Sequence, residues 1–99
     1  MRYDGRGFVH SLEGRLVLDD VHAVVSDEDV AAFYTRRHAW HGTIESRSAD
    51  LMTVFRDVSE FRLGISGHRP SVARVVSFDL GGIRAQVVGD EPWAEVREN

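Results

Sequence analysis

The 99-residue chain contains no cysteine and no lysine. Without thiols there is no disulfide and no thiolate metal centre. Without lysine there is no Schiff-base chemistry and no lysine general base. All twelve basic residues are arginine. Together with frequent Ala, Val, Gly and Asp, this reads as the codon bias of a GC-rich genome; nothing else supports the sharper reading, avoidance of lysine-directed tagging for degradation. No apolar run approaches the ~20 residues of a membrane-spanning helix. The opening Met1-Arg2-Tyr3-Asp4-Gly5 lacks the apolar core of a signal peptide, so a cytoplasmic location is the expectation, with no membrane partner. A net charge of −4 and a pI near 5.7 oppose general nucleic-acid binding, which needs a basic patch. Arg36-Arg37 is the one basic doublet.

What is present fits one soluble globular domain. Hydrophobic content is 42% and charged content 28%, both ordinary values, and the length supports a single modest core. The expected domain covers 1–94, followed by a charged tail, 95–99, that frays.

The clearest pattern lies between Phe61 and Val88, a three-stranded antiparallel meander. Gly81-Gly82 supplies the positive φ angles of a two-residue type I′ hairpin. That turn pairs Leu80 with Ile83, Phe78 with Ala85 and Val76 with Val87 on one apolar side. Asp79 with Arg84 and Ser77 with Gln86 take the wet side. Phe61, Leu63 and Ile65 are expected on the same face as Val72, Val76 and Phe78, with Arg74 as the one misfit there. The meander runs Glu60–Ser66, a turn at Gly67-His68-Arg69-Pro70, Ser71–Leu80 and Ile83–Val88.

Upstream, Arg6–Leu12 and Arg15–Val25 form a first hairpin about Glu13-Gly14, pairing Leu12 with Arg15, His10 with Val17 and Val9 with Leu18. The apolar phase of its second strand flips at Asp19-Asp20, the mark of a β-bulge or sharp bend. For 27–37 two readings stand. Ser26 before three acids resembles a helix N-cap, whereas Val, Phe, Tyr and Thr favour a returning strand. His38–Ser46 reads as a strand, with Gly42 marking a bulge or a close backbone approach. Leu51, Val54, Phe55 and Val58 fall at i, i+3, i+4 and i+7, an amphipathic helix near 49–57 capped by Ser48. The fold class expected is mainly β: a small antiparallel barrel or bent roll of five to six strands with that one short helix, which plugs an open end or crosses between sheets.

Chemistry-bearing motifs are few. His38 and His41, three apart on a strand, point to opposite faces and cannot share a metal there. His10, His22 and His68 sit on separate segments. No Gly-x-Ser-x-Gly elbow and no strand–loop–helix phosphate cradle occurs, and the acids are scattered. The pattern gives no catalytic residue, no metal site and no cofactor. The candidate ligand or partner contacts are Trp40, His41, Arg74 and Trp93. Arg74 is singled out as a charge on an apolar face, and the tryptophans as large apolar surfaces that either anchor a core or line a pocket.

Tyr3-Asp4-Gly5, Trp40-His41-Gly42, the short helix near 49–57 and Gly89-Asp90-Glu91-Pro92-Trp93 occur in that order. In this the chain resembles uncharacterised small β-barrel domains of GC-rich actinobacteria. The resemblance implies a small barrel and carries no catalytic residue with it. Some small barrels act as cyclases, an analogy of fold alone.

Three functional readings follow. The first is a non-enzymatic binding or accessory module working through protein contacts, self-association as a homodimer included. The second is a small-molecule-binding barrel, cyclase- or isomerase-like, with a cavity lined by Trp40, Phe61, Phe78 and Arg74 or a histidine. The third is a particle component or a regulator of a toxin-like protein.

Overall fold

A computed structural model describes residues 1–28 and 38–96. Six antiparallel strands, β1 (Arg2–His10), β2 (Leu16–Ser26), β3 (Trp40–Glu45), β4 (Glu60–Ile65), β5 (Ser71–Asp79) and β6 (Arg84–Gly89), close into a barrel in the order β1-β2-β3-β6-β5-β4. The seam is β1 against β4, from Gly7↔Ile65 to His10↔Arg62. Closure gives every strand two neighbours and removes most of the exposed edge; among the described residues Arg2–Arg6 and Leu16–Val21 are paired on one side only. Among the described residues no helix is long and apolar enough to cross a membrane.

The first hairpin is longer than its sequence pattern, because pairing extends back to Arg2↔Ser26. Val9 does face Leu18, but His10 faces Leu16 rather than Val17. The turn is closed by the Gly14 N–H donating to the Ser11 carbonyl at 2.9 Å, and Ser11 rather than Leu12 bonds Arg15 (2.8 Å). The phase flip at Asp19-Asp20 is a bulge: pairing steps from Gly7↔Val21 to Val9↔Leu18, one residue more on β2 than on β1. A bulge leaves backbone groups outside the ladder. Here the Arg6 guanidinium donates twice to the Asp19 carbonyl, at 3.0 and 2.9 Å.

The β5–β6 turn has the predicted register for three pairs: Asp79↔Arg84, Phe78↔Ala85 and Ser77↔Gln86. Gly81 and Gly82 both have positive φ (67° and 96°), but so has Leu80 (55°); Leu80–Gly82 form a 3-10 turn, with the Ile83 N–H donating to the Leu80 carbonyl at 3.4 Å, so the expected two-residue loop and the Leu80–Ile83 pair are not formed and the ladder ends at Asp79↔Arg84. Beyond Ser77 the expectation fails. Val76 is bulged out, so Val87 faces Val75 and Val88 faces Arg74. One extra residue turns every later side chain to the other face. Ser71 and Ala73 are therefore buried and Val75 packs on the core, while Val72 and Val76 are exposed. Arg74 is not a misfit on the apolar face; it stands on the outside. Leu80 and Ile83, expected on the apolar face, are exposed at the turn.

The predicted helix is present as a single turn, α1 (Leu51–Val54), capped by Asp50 rather than Ser48. Asp50 Oδ1 accepts from the Met52 N–H at 3.0 Å, and Oδ2 accepts from Thr53 Oγ1 at 3.1 Å. Leu51 and Phe55 are buried and Val54 packs on the core. Phe55 meets Phe61 with ring centroids 4.8 Å apart. At Phe55 the backbone leaves the helical region (φ −103°, ψ 20°), so Val58 drops off the stripe and is exposed. A four-residue helix holds by packing rather than propensity. In the strand order β3 and β4 lie opposite one another. Segment 46–59 thus crosses one end of the barrel, and Leu51 and Phe55 plug it.

The interior is a continuous apolar cluster that includes Val9, Val21, Val25, Trp40, Ile44, Leu63, Ala85 and Val87. The stretch with two readings, 27–37, lies outside the described residues except for Asp27 and Glu28. The tail is held further than expected: Glu95 bridges His68 and the Val96 N–H donates to the Gly67 carbonyl at 3.2 Å. Residues 97–99 are outside the described set.

Candidate functional site

All four candidate contacts lie at the end opposite the plug, where β3 begins and β6 ends. Trp40 opens β3 and points inward with Gly42 and Ile44. Its indole packs onto Gly89, its cross-strand neighbour, and its Nε1–H donates to Ser71 Oγ at 3.3 Å. Trp93 covers it at 4.7 Å between centroids and 36° between planes, with His68 edge-on to Trp93 at 6.1 Å. The Trp93 Nε1 is buried with no hydrogen-bond partner among the described residues. Trp40 is the core member and Trp93 the lid over it at this end, while Phe55 packs on Phe61 at the plugged end.

His41 and Arg74 belong to the outer surface instead. The ladder sets His41, Val88, Arg74 and Glu60 in one cross-strand row over β3, β6, β5 and β4. His41 Nε2 lies 3.1 Å from the Glu28 carbonyl oxygen. An Arg74 Nη nitrogen is 3.7 Å from Asp90 Oδ2, and Asp90 Oδ1 is 2.7 Å from His38 Nδ1. This Arg74–Asp90–His38 chain ties β5 to the segments flanking β3 and β6. Its carboxylate is largely exposed, so the Arg74–Asp90 ion pair contributes about 0–1 kcal/mol. Beside it lies a cleft of about 200 Å³ lined by Glu60, Val72, Arg74, Val88 and Glu91 among others. A wider open depression of about 600 Å³ is bounded by Asp27, His38 and Pro92.

Trp40 and Phe61 are fully buried core members, while Arg74 points away from the interior. Among the described residues no three metal-ligating side chains converge. The Met1 ammonium is held above the usual α-amino range by its 2.7 Å hydrogen bond to Asp27. Glu13 is lowered by its own backbone N–H and by Ser11. Both groups are at the open surface, away from any enclosed site.

Two features escaped the sequence pattern. Asp90 is 52 positions from His38 and is brought to it by the Trp40↔Gly89 pairing; no local motif signals that. The second feature is at the plugged end. Of the ten exposed large hydrophobic residues among those described, seven (Leu12, Leu16, Val17, Met52, Val58, Leu80 and Ile83) lie in or within two residues of the three connections 11–15, 46–59 and 80–83, and Val76 stands within β5. The Val76 bulge and the early end of α1 create this surface, and the helical stripe pattern predicted the opposite for Val58.

Comparison with protein-family models, with curated proteins and with solved structures finds no match for this chain.

Proposed function

We propose that the protein is a non-enzymatic binding module that acts through protein contacts, using the plugged end of the barrel. The observation that carries this is the gathering of exposed apolar side chains there. Isolated exposed hydrophobics are ordinary, but clustered ones mark interaction surfaces. Met52 (51% exposed), Val58 (52%) and Leu80 (60%) are among the most open. Val58 falls opposite Val76 when the β4–β5 pairing is continued past Glu60↔Arg74, a continuation supported by the Val75 N–H donating to the Ser59 carbonyl at 3.0 Å. Met52 lies against the β5–β6 turn: a Cβ on Gly82 would come within 3.2 Å of its Cγ.

Leu80 adds a second support. Its φ is 55°, making it the single non-glycine residue with positive φ among those described. A leucine in the left-handed region costs roughly 1–2 kcal/mol, and strain of this kind collects at functional positions. The backbone bears that cost to hold a leucine out in water.

The competing reading, a small-molecule barrel, requires space inside. Titration of methyl-labelled protein with benzene and with indole separates the two. The proposal expects no saturable shift at the interior methyls of Val9, Val25, Leu63 and Val87. Saturable shifts at those methyls would overturn it in favour of the ligand-binding barrel.

A further inference from the structure

We infer that residues 91–96 form a releasable latch, and that the slot it closes over Trp40 is a site for an aromatic side chain carried on an extended peptide. The site lies at the opposite end from the plug and does not depend on the surface assigned there.

The slot exists because the barrel seam is short. β1 pairs with β4 only from Gly7↔Ile65 to His10↔Arg62, and residues 2–6 are paired with β2 alone. In an antiparallel ladder the backbone groups turn alternately to one side and the other. The Asp27 N–H donates to the Met1 carbonyl at 3.3 Å, so Met1 and the odd positions after it bond toward β2. Arg2, Asp4 and Arg6 therefore direct their backbone groups into the opening. The Arg6 carbonyl is taken by Tyr3 Oη at 2.7 Å. The backbone groups of Arg2 and Asp4 have no partner on that side among the described residues. Residues 67–69, which follow β4, border the opening on the other side.

What the slot accepts is shown by what sits in it. The pivot of the latch is Asp90, fixed by His38 at 2.7 Å and by Arg74 at 3.7 Å. Beyond it Trp93 is half-buried and the rest of 91–96 is exposed. The Trp93 ring rests on Trp40 at 4.7 Å between centroids. The backbone after it runs as a strand beside 67–69. The Arg69 N–H donates to the Ala94 carbonyl at 2.8 Å and the Val96 N–H to the Gly67 carbonyl at 3.2 Å, on either side of the His68↔Glu95 bridge. An aromatic anchor on an extended strand is thus the shape that fits. The latch fills it incompletely. The Trp93 Nε1–H is buried with no acceptor, which opposes its burial, and the latch leaves the Arg2 and Asp4 backbone unbonded. An incoming peptide can bond that edge as well, the mode of recognition by strand addition. One ring contact and two exposed backbone bonds hold the latch, few beside the ladders. Such a segment opens while the rest stays folded.

Hydrogen exchange in the unaltered protein tests the latch. Trp93 Nε1–H, Arg69 N–H and Val96 N–H are expected to exchange through one shared opening, about a hundredfold or more faster than the ladder amides of Ala23, Ile44 and Val87. Exchange in step with those amides overturns the latch. A synthetic peptide copying residues 90–96 tests the site. It is expected to give saturable shifts at Trp40 Nε1–H in Trp93→Ala, and to bind the unaltered protein about tenfold or more weakly, because the resident strap competes for the slot. The same peptide with alanine in place of its tryptophan is expected to bind neither. Absence of binding to Trp93→Ala overturns the site; equal affinity for both proteins overturns the competition. A second variant keeps the tryptophan. His68 and Glu95 form a non-hydrogen-bonded pair, whose Cα atoms stand about 4.5 Å apart, within disulfide reach. The chain has no other cysteine. Oxidised His68→Cys with Glu95→Cys is expected to slow exchange at Trp93 Nε1–H by about tenfold or more and to abolish peptide binding, and reduction to restore both. Peptide binding that survives oxidation overturns the assignment of the slot.

Discussion

Replacing Trp40 with alanine is expected to remove most of the stability of the fold. Trp40 has no exposed surface. Large-to-small changes at such aromatic positions cost about 3–5 kcal/mol, against a total of about 5–15 kcal/mol for a domain of this size. Three losses coincide. The cavity opens where β3, β5 and β6 converge. The bond to Ser71 Oγ disappears, and Ser71 is itself buried. Trp93 loses the ring it covers. The thermal midpoint is expected to fall by roughly 15 °C or more. Trp93→Ala is the informative contrast. It removes a half-buried side chain and one ring contact, and is expected to cost clearly less than Trp40→Ala. Equal losses would mean that the two rings act as one closing unit rather than as core and lid.

Gly42→Ala is expected to be nearly as damaging, for a different reason. Gly42 faces inward at the centre of β3, paired with Val25 on one side and Val87 on the other. A Cβ there would fall on the backbone carbonyl of Val24 and 2.7 Å from Val25 Cγ1. Backbone cannot rotate out of the way, so the β2–β3 ladder has to move. Overpacking ordinarily costs about 1–3 kcal/mol and occasionally more, and a collision with backbone belongs at the upper end. Gly64→Ala supplies the control, because a Cβ on Gly64 meets nothing closer than Phe8 Cβ at 3.7 Å. It is expected to be neutral or to stabilise by a few tenths of a kcal/mol through the unfolded chain. Chemical denaturation of the pair checks both. A stable Gly42→Ala protein would mean that β2 and β3 lie further apart than described.

Much of the barrel was legible because strand signals are local. The Gly81-Gly82 turn defines the register next to it by its own geometry, and three pairs follow. The Asp19-Asp20 bulge announces itself because Leu16 and Leu18 share one parity while Val21, Ala23 and Val25 share the other. The Val76 bulge gives no such sign. Val72, Val76 and Phe78 are all apolar on the even positions, so the sequence offers a consistent face that the chain does not use. Ser71 and Ala73, which do point inward, are small and carry little hydrophobic signal. They fit there because Trp40 fills the space across the barrel and needs a hydroxyl partner. The assignment of Arg74 inherits that error, since one residue of slip moves it from the core side to the outside.

The helix shows a related limit. Its stripe is correct for Leu51, Val54 and Phe55, which seal the barrel end. Val58 continues the periodicity but not the helix, because the chain must straighten to enter β4. Of the four candidate contacts, the sequence located the tryptophans by size, and the structure brings all four to one end. It could not show that Asp90 joins Arg74 to His38, which depends on pairing across 52 positions. Nor could it show that exposed apolar side chains would collect at the other end, because each lies in a different connection and only barrel closure brings them together.

Paramagnetic relaxation of the methyl groups by a soluble gadolinium chelate, in dilute solution, tests the division between inside and outside on which the account rests. Strong relaxation is predicted at Met52, Val58, Val76, Leu80 and Ile83, with Val9, Val25, Leu51, Leu63 and Val87 protected. Strong relaxation at Leu51 and Leu63, or protection at Leu80 and Val58, would contradict both the plugged barrel and the surface assigned to it.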